Sequence, residues 1–241
     1  MNISFSQHKL SNGLRVIFHR DKTTPLAAVN VLYDVGARDE NPNRTGFAHL
    51  FEHLMFGGSK NIGSYDTPLQ KAGGENNAFT TNDITNYYCI LPKSNIETAL
   101  WLESDRMLEL DFSEKSLEVQ RKVVIEEFNQ RYLNQPYGDI SLVFRPLSYK
   151  KHPYRWSTIG KEISHIAEAT LDDVKNFYKT HYNPQNAILT IVGDFDDDYI
   201  FKLAEKWFGD INKQHSYKRK LPKEPKQTKA RKQEVMRDVS Q

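Results

Sequence analysis

The chain has 241 residues, 38% of them hydrophobic and 12% aromatic. That composition excludes a disordered chain, and the length suits one large domain or two small ones with a core of normal size. A formal net charge of +2 excludes a global electrostatic pull toward nucleic acid or a membrane surface.

In chain order, Asn12-Gly13 between short apolar stretches signals a hairpin, with Leu14 to His19 as the return strand. Ala27 to Tyr33, rich in β-branched and aromatic residues, is a second strand. Thr45 is expected to cap a helix running from Gly46 to Phe56, which Gly57-Gly58 closes. A helix over Tyr65 to Ala72 follows, then a hairpin from Asn77 to Leu91 that breaks at Asn82-Asp83. Ser94 to Leu110 reads as a helix capped by Ser94 or Asn95, with Leu100, Leu102, Met107 and Leu108 toward the core. Ser113 caps a longer helix reaching Leu133. A short helix near Asp139 to Tyr149, a Thr170-capped helix to about Thr180, an apolar strand from Asn186 to Gly193 and a helix from Asp197 to Phe208 complete the pattern. Strands and helices mix without regular βαβ alternation, which predicts an α+β domain.

Beyond these elements the charge is uneven. Between Lys213 and Lys232 nine Lys/Arg residues meet a single acid, Glu224. Residues 213–232 are expected to form a basic, mostly solvated linker, and Gln233 to Val239 the first strand of a further domain. Binding of an acidic partner or nucleic acid by this stretch is the weaker reading, because no aromatic interleaving supports it. Cys89 is the only cysteine; its apolar neighbours mark a small buried side chain rather than a nucleophile. No segment approaches eighteen apolar residues, so no membrane span is expected. The opening Met-Asn-Ile-Ser-Phe-Ser carries no visible signal peptide. The compartment is not legible in the sequence: a cytoplasmic location fits, and so does a periplasmic one after removal of a leader.

The most specific feature is His49-Leu50-Phe51-Glu52-His53. Residues three and four apart share a helix face, so His49 and His53 can hold one ion, with Glu52 beside them. Leu50, Phe51 and Leu54 point elsewhere and can bury the helix. Zinc takes such ligands at roughly 2 Å and keeps a position for water in catalytic sites, so a third protein ligand is needed. The metal lowers the water pKa from about 15.7 toward about 7, and a nearby carboxylate accepts the proton; Glu52 is the candidate. The competing reading is a solvated helix face with no ion. For the third ligand, Glu127 sits near Val123, Val124 and Phe128, which are expected to be buried. A carboxylate there needs a partner such as a cation. Glu126 is the rival, since adjacent helical residues differ by about 100° in direction, and either acid can be a plain solvated charge.

The H-x-x-E-H order is the inverzincin motif, and with it the chain resembles the pitrilysin family, which includes insulin-degrading enzyme and the mitochondrial processing peptidases. The resemblance runs through Gly46 to Phe56, Gly73-Gly74-Glu75-Asn76-Asn77-Ala78-Phe79-Thr80, Val123-Val124-Ile125-Glu126-Glu127, His152-Pro153-Tyr154 with Ile159-Gly160, and Tyr182 to Asn186 leading into Ile191-Val192-Gly193-Asp194. It implies a mostly antiparallel mixed sheet packed against helices, with residues 1–212 as the peptidase domain. It implies a zinc endopeptidase holding one Zn2+ per chain, with Glu127, 74 residues after His53 (127 − 53), as third ligand. It also implies an edge strand at Asn77, Ala78 and Phe79 that takes up an extended peptide or small unfolded protein substrate by β-augmentation. The alternatives there are an ordinary hairpin strand and a core role for Phe79. One departure is Gln120, where the family often has a second glutamate supporting the metal site; glutamine hydrogen-bonds but brings no charge. The family builds its chamber from two homologous domains, so a second domain or subunit is expected. The alternative function is a scaffold subunit that binds peptides without cleaving them, or that is inactive in isolation.

Overall fold

Hydrophobic alternation and turn residues set the sheet of the computed structural model, which describes residues 3–212 and 217–238. The turn at Gly13, whose φ is 98°, joins β1 (Ser6–Lys9) to β2 (Arg15–Arg20) as an antiparallel hairpin. β3 (Leu26–Tyr33) alternates buried Ala27, Val29, Val31 and Tyr33 with half-buried neighbours. β4 (Glu75–Thr80) and β5 (Thr85–Pro92) form the second hairpin, and β6 (Ala187–Gly193) inserts between β2 and β3. The order is β1-β2-β6-β3-β5-β4, parallel only between β2 and β6. β4 pairs with β5 alone and is an edge of the sheet.

Helices α1 (Phe47–Leu54), α2 (Asp66–Lys71), α3 (Ile96–Leu108), α4 (Glu114–Phe128), α5 (Ile140–Ser148), α6 (Ser164–Ala167), α7 (Leu171–His181) and α8 (Asp197–Phe208) complete an α+β fold. α3 packs on β3 and β5, α8 on β2, and α1 on β4 and β5. Leu50 and Phe51 of α1 are fully buried, worth about 1.5–3 kcal/mol each. The Phe51 ring stacks 4.8 Å from Tyr182 and 5.4 Å from Phe177, tying α1 to α7 and the turn that follows it. Among the described residues no helix is long and apolar enough to cross a membrane.

Several local expectations change in the folded chain. Thr45 does not cap α1. Its hydroxyl pairs with His165 Nδ1 at 2.8 Å and accepts the Lys161 N–H, and Gly46 is the cap residue, with φ at 91°. Only glycine suits that position, since a Cβ there would lie 2.7 Å from the Ile159 carbonyl oxygen. The cap is instead supplied from a distance. Buried Glu40 accepts the N–H of Gly46 through Oε2 and of Ala48 through Oε1, both at 2.9 Å, at the positive end of the helix. Asn95 heads α3 but donates its side-chain amide to the Ala72 carbonyl instead of capping. Leu108 is exposed, as is Val123, because each falls on the outward side of its helix. The long helix to Leu133 stops being α-helical at Phe128, and Asn129–Leu133 forms a π turn.

The basic tail is mostly exposed, but it is anchored. Arg219 reaches Asp34 and Asp39, and the Glu224 carboxylate accepts the consecutive N–H groups of Lys150, Lys151 and His152 at 2.8 Å each. Arg231 donates to the carbonyls of Leu147 and Ser148 at 2.8 Å. Residues 233–238 carry no strand; Val239, the end of that expected strand, and residues 213–216 of the linker lie outside the described residues.

Candidate metal centre

Helix α1 separates packing from chemistry as its 3.6-residue repeat dictates. Leu50, Phe51 and Leu54 face the core, while His49 and His53 stand one turn apart with ring centroids 4.9 Å from each other at 80°. α4 crosses α1 and delivers Glu127 to the same point. Glu127 Oε2 lies 3.6 Å from His49 Nε2 and 3.3 Å from His53 Nε2. Each of the three side chains offers one ligand atom, all within 4.8 Å of one another. Glu126 turns away to solvent, where it accepts from Gln130 at 3.3 Å, so the roughly 100° between neighbouring helical residues separates the two acids.

The donor set fits zinc. Tetrahedral coordination with bonds of about 2.0–2.2 Å sets neighbouring donors about 3.3–3.6 Å apart, and the Glu127 oxygen stands at 3.6 and 3.3 Å from the two histidine nitrogens. The chemistry fits too: two imidazoles and one carboxylate leave a fourth position open. Burial holds the His49 imidazole down to about 4, so its lone pair stays available through the neutral range. The Glu127 carboxyl is also lowered, chiefly by its hydrogen bond with His53 and despite partial burial, which favours the anionic ligand form. Its other oxygen, Oε1, takes Arg131 at 3.0 Å, so one carboxylate oxygen faces the histidines while the other is held from outside.

Glu52 lies on the histidine side of α1 but outside the donor group. Its Oε2 accepts the Thr80 hydroxyl at 2.6 Å. Thr80 closes β4, and the same strand carries Asn77, Ala78 and Phe79. The Asn77 side-chain oxygen accepts the Ala78 N–H at 2.8 Å. Phe79 is 44% exposed and therefore not a core residue. Gln120, two turns before Glu127, lies beside Gly57 and makes no hydrogen bond to the histidines or Glu127 among the described residues. Glu40, Thr80 and Arg131 escaped the sequence reading. Glu40 and Thr80 act across loops and strands, and Arg131 looks like any exposed helical charge until its partner's orientation is known.

Comparison with known proteins bears on the whole chain. The family model described as Insulinase (Peptidase family M16) matches residues 15–139, and that of the Peptidase M16 inactive domain matches residues 168–241. The zinc protease PqqE of Helicobacter pylori is 36% identical over 234 residues, covering 95% of this chain and 52% of its own. The β subunit of the Saccharomyces cerevisiae mitochondrial-processing peptidase is 28% identical over 213 residues, covering 86% of this chain and 45% of that one. A crystal structure of a protease from Helicobacter pylori aligns with a TM-score of 0.88 at 36% identity, over 95% of this chain and 56% of that chain. Pitrilysin shares the fold at 20% identity, with a TM-score of 0.81 over 92% of this chain and 24% of its own. The chain thus spans about half the length of the curated relatives it matches. With its six-stranded sheet, its helices and its His-x-x-Glu-His segment, this chain belongs to the insulinase family of metallopeptidases, peptidase family M16.

Proposed function

We propose that the chain is the catalytic domain of a zinc metalloendopeptidase, with His49, His53 and Glu127 as metal ligands and Glu52 as general base. The observation that carries this reading is the convergence of His49 Nε2, His53 Nε2 and Glu127 Oε2 beside a carboxylate outside the donor group. When bound, zinc supplies Lewis acidity and makes water acidic, from about 15.7 toward about 7. Glu52 takes the proton at Oε1, the oxygen without a hydrogen-bond partner among the described residues, and returns it to the leaving amine. An extended peptide, or a small unfolded protein, adds to the free edge of β4, with the backbone of Asn77 and Ala78 as its partner and Phe79 as an exposed aromatic contact. Gln120 adds no charge near the ligands.

The length of the relatives supports a second homologous domain as partner, and the tail anchored by Arg219, Glu224 and Arg231 would lead toward it. A second reading is a peptide-binding subunit without activity of its own, which draws on the match of residues 168–241 to the M16 inactive domain. Metal analysis of the full-length protein should return about one zinc per site, lost in His53→Ala. Glu52→Gln should retain zinc and lose peptide hydrolysis. Cleavage at the wild-type rate by Glu52→Gln would refute the general-base role, and zinc binding without any cleavage by the wild-type protein would favour the scaffold reading.

A further inference from the structure

The general-base reading leaves open what aims Glu52. A carboxylate on a helix has three rotatable bonds, and only one of its oxygens can work on a proton at a time. Thr80 answers this. Its hydroxyl donates to Glu52 Oε2 at 2.6 Å, the short distance of a charge-assisted O–H···O⁻ bond. Thr80 is itself held firmly. It pairs with Thr85 across the β4–β5 hairpin, and Thr85 is fully buried with its hydroxyl on the Val35 carbonyl at 2.9 Å. A β-branched side chain on such a strand has little χ1 freedom. In β4, Asn76, Ala78 and Thr80 share the half-buried side of the strand, with Ala78 packed on the core, and α1 lies against that strand.

We infer that Thr80 is a positioning residue for the reaction: its hydroxyl fixes Oε2 of Glu52 and leaves Oε1 as the working oxygen. The same strand that is proposed to bind the peptide then also sets the base, so the substrate backbone and the proton acceptor share one rigid element. This inference rests on the general-base reading of Glu52.

The test uses the zinc-loaded full-length protein, a fluorogenic peptide, and the variants Thr80→Val, Thr80→Ser and Glu52→Gln. Thr80→Val keeps the shape and removes the donor. It is expected to lower kcat about 10–100-fold, with KM, zinc content and Tm close to wild type. Thr80→Ser should recover most of the rate. A crystal structure of Thr80→Val should show the Glu52 carboxylate in more than one rotamer. If Glu52→Gln abolishes hydrolysis while Thr80→Val keeps kcat within about twofold, the positioning role is overturned and the general-base reading stands. If Glu52→Gln is fully active, that reading fails and the inference with it. If Val and Ser are equally impaired, or Thr80→Val loses zinc or stability, Thr80 is a structural residue and the inference is overturned.

Discussion

The charge pair beneath helix α1 provides a stringent test of the fold. Glu103 and Arg106 on α3 are essentially fully buried, at 0% and 1% exposure. Arg106 Nε and Nη2 reach the carboxylate in three contacts between 2.5 and 2.9 Å, and the Tyr65 hydroxyl adds a fourth at 2.6 Å. The guanidinium lies 4.4 Å from the ring centres of both Tyr65 and Tyr87. Tyr87 in turn donates to the Phe51 carbonyl of α1 at 3.2 Å. Glu103→Gln keeps the volume but strands a cation that cannot reach water. The penalty for such an uncompensated buried charge is about 3–5 kcal/mol, or a Tm lower by about 6–20 °C for a chain of this size. Joint replacement by Tyr65→Phe, Glu103→Leu and Arg106→Met removes both charges and the hydroxyl, and should recover most of that loss. Urea unfolding with an unchanged m-value, alongside thermal melts, measures both. A loss below about 1 kcal/mol for Glu103→Gln, or a triple variant as damaged as the single one, refutes the argument.

Burial holds His181 down to about 4, against 6.5 for a free histidine, so the unfolded chain binds the extra proton between those values. Its contribution is complete above pH 6.5 and is lost as pH falls toward 4, by roughly 3 kcal/mol; His181→Gln should flatten that part of the pH–stability profile. Arg131→Ala frees the outer oxygen of Glu127 and should weaken zinc binding about tenfold in a chelator competition, with the protein still folded; unchanged affinity would make the contact incidental. Glu224→Ala removes the acceptor of three consecutive N–H groups, and limited proteolysis should then nick residues 217–238 faster than in the wild type. Equal cleavage rates would mean that the arginine anchors hold the tail without it.

Part of this was legible from local pattern alone. The β-branched and aromatic run Ala27 to Tyr33, the apolar run Asn186 to Gly193, the Asn-Gly turn and the caps Ser113 and Thr170 all act within a few residues, and the folded chain keeps them. Thr45 misled because its hydroxyl suits a cap, yet His165 from 120 residues away claims it. Val123 misled because one hydrophobic residue in a helix carries no statement of which face it occupies, and that face opens to solvent here.

By itself, the sequence determined that His49, Glu52 and His53 share one face of one helix, because helical geometry repeats over 3.6 residues and needs no tertiary contact. Only the tertiary structure decided that Glu127 and not Glu126 meets those histidines, that β4 is an edge of the sheet, that Glu40 accepts the first N–H groups of α1, and that Thr80 donates to Glu52 while Arg131 pairs with the outer oxygen of Glu127. The contacts of Glu127, Glu40 and Thr80 join atoms from separate elements, so how those elements pack decides them; the Arg131–Glu127 pair is an i,i+4 contact along one helix, and packing decides only that it backs a carboxylate facing the histidines.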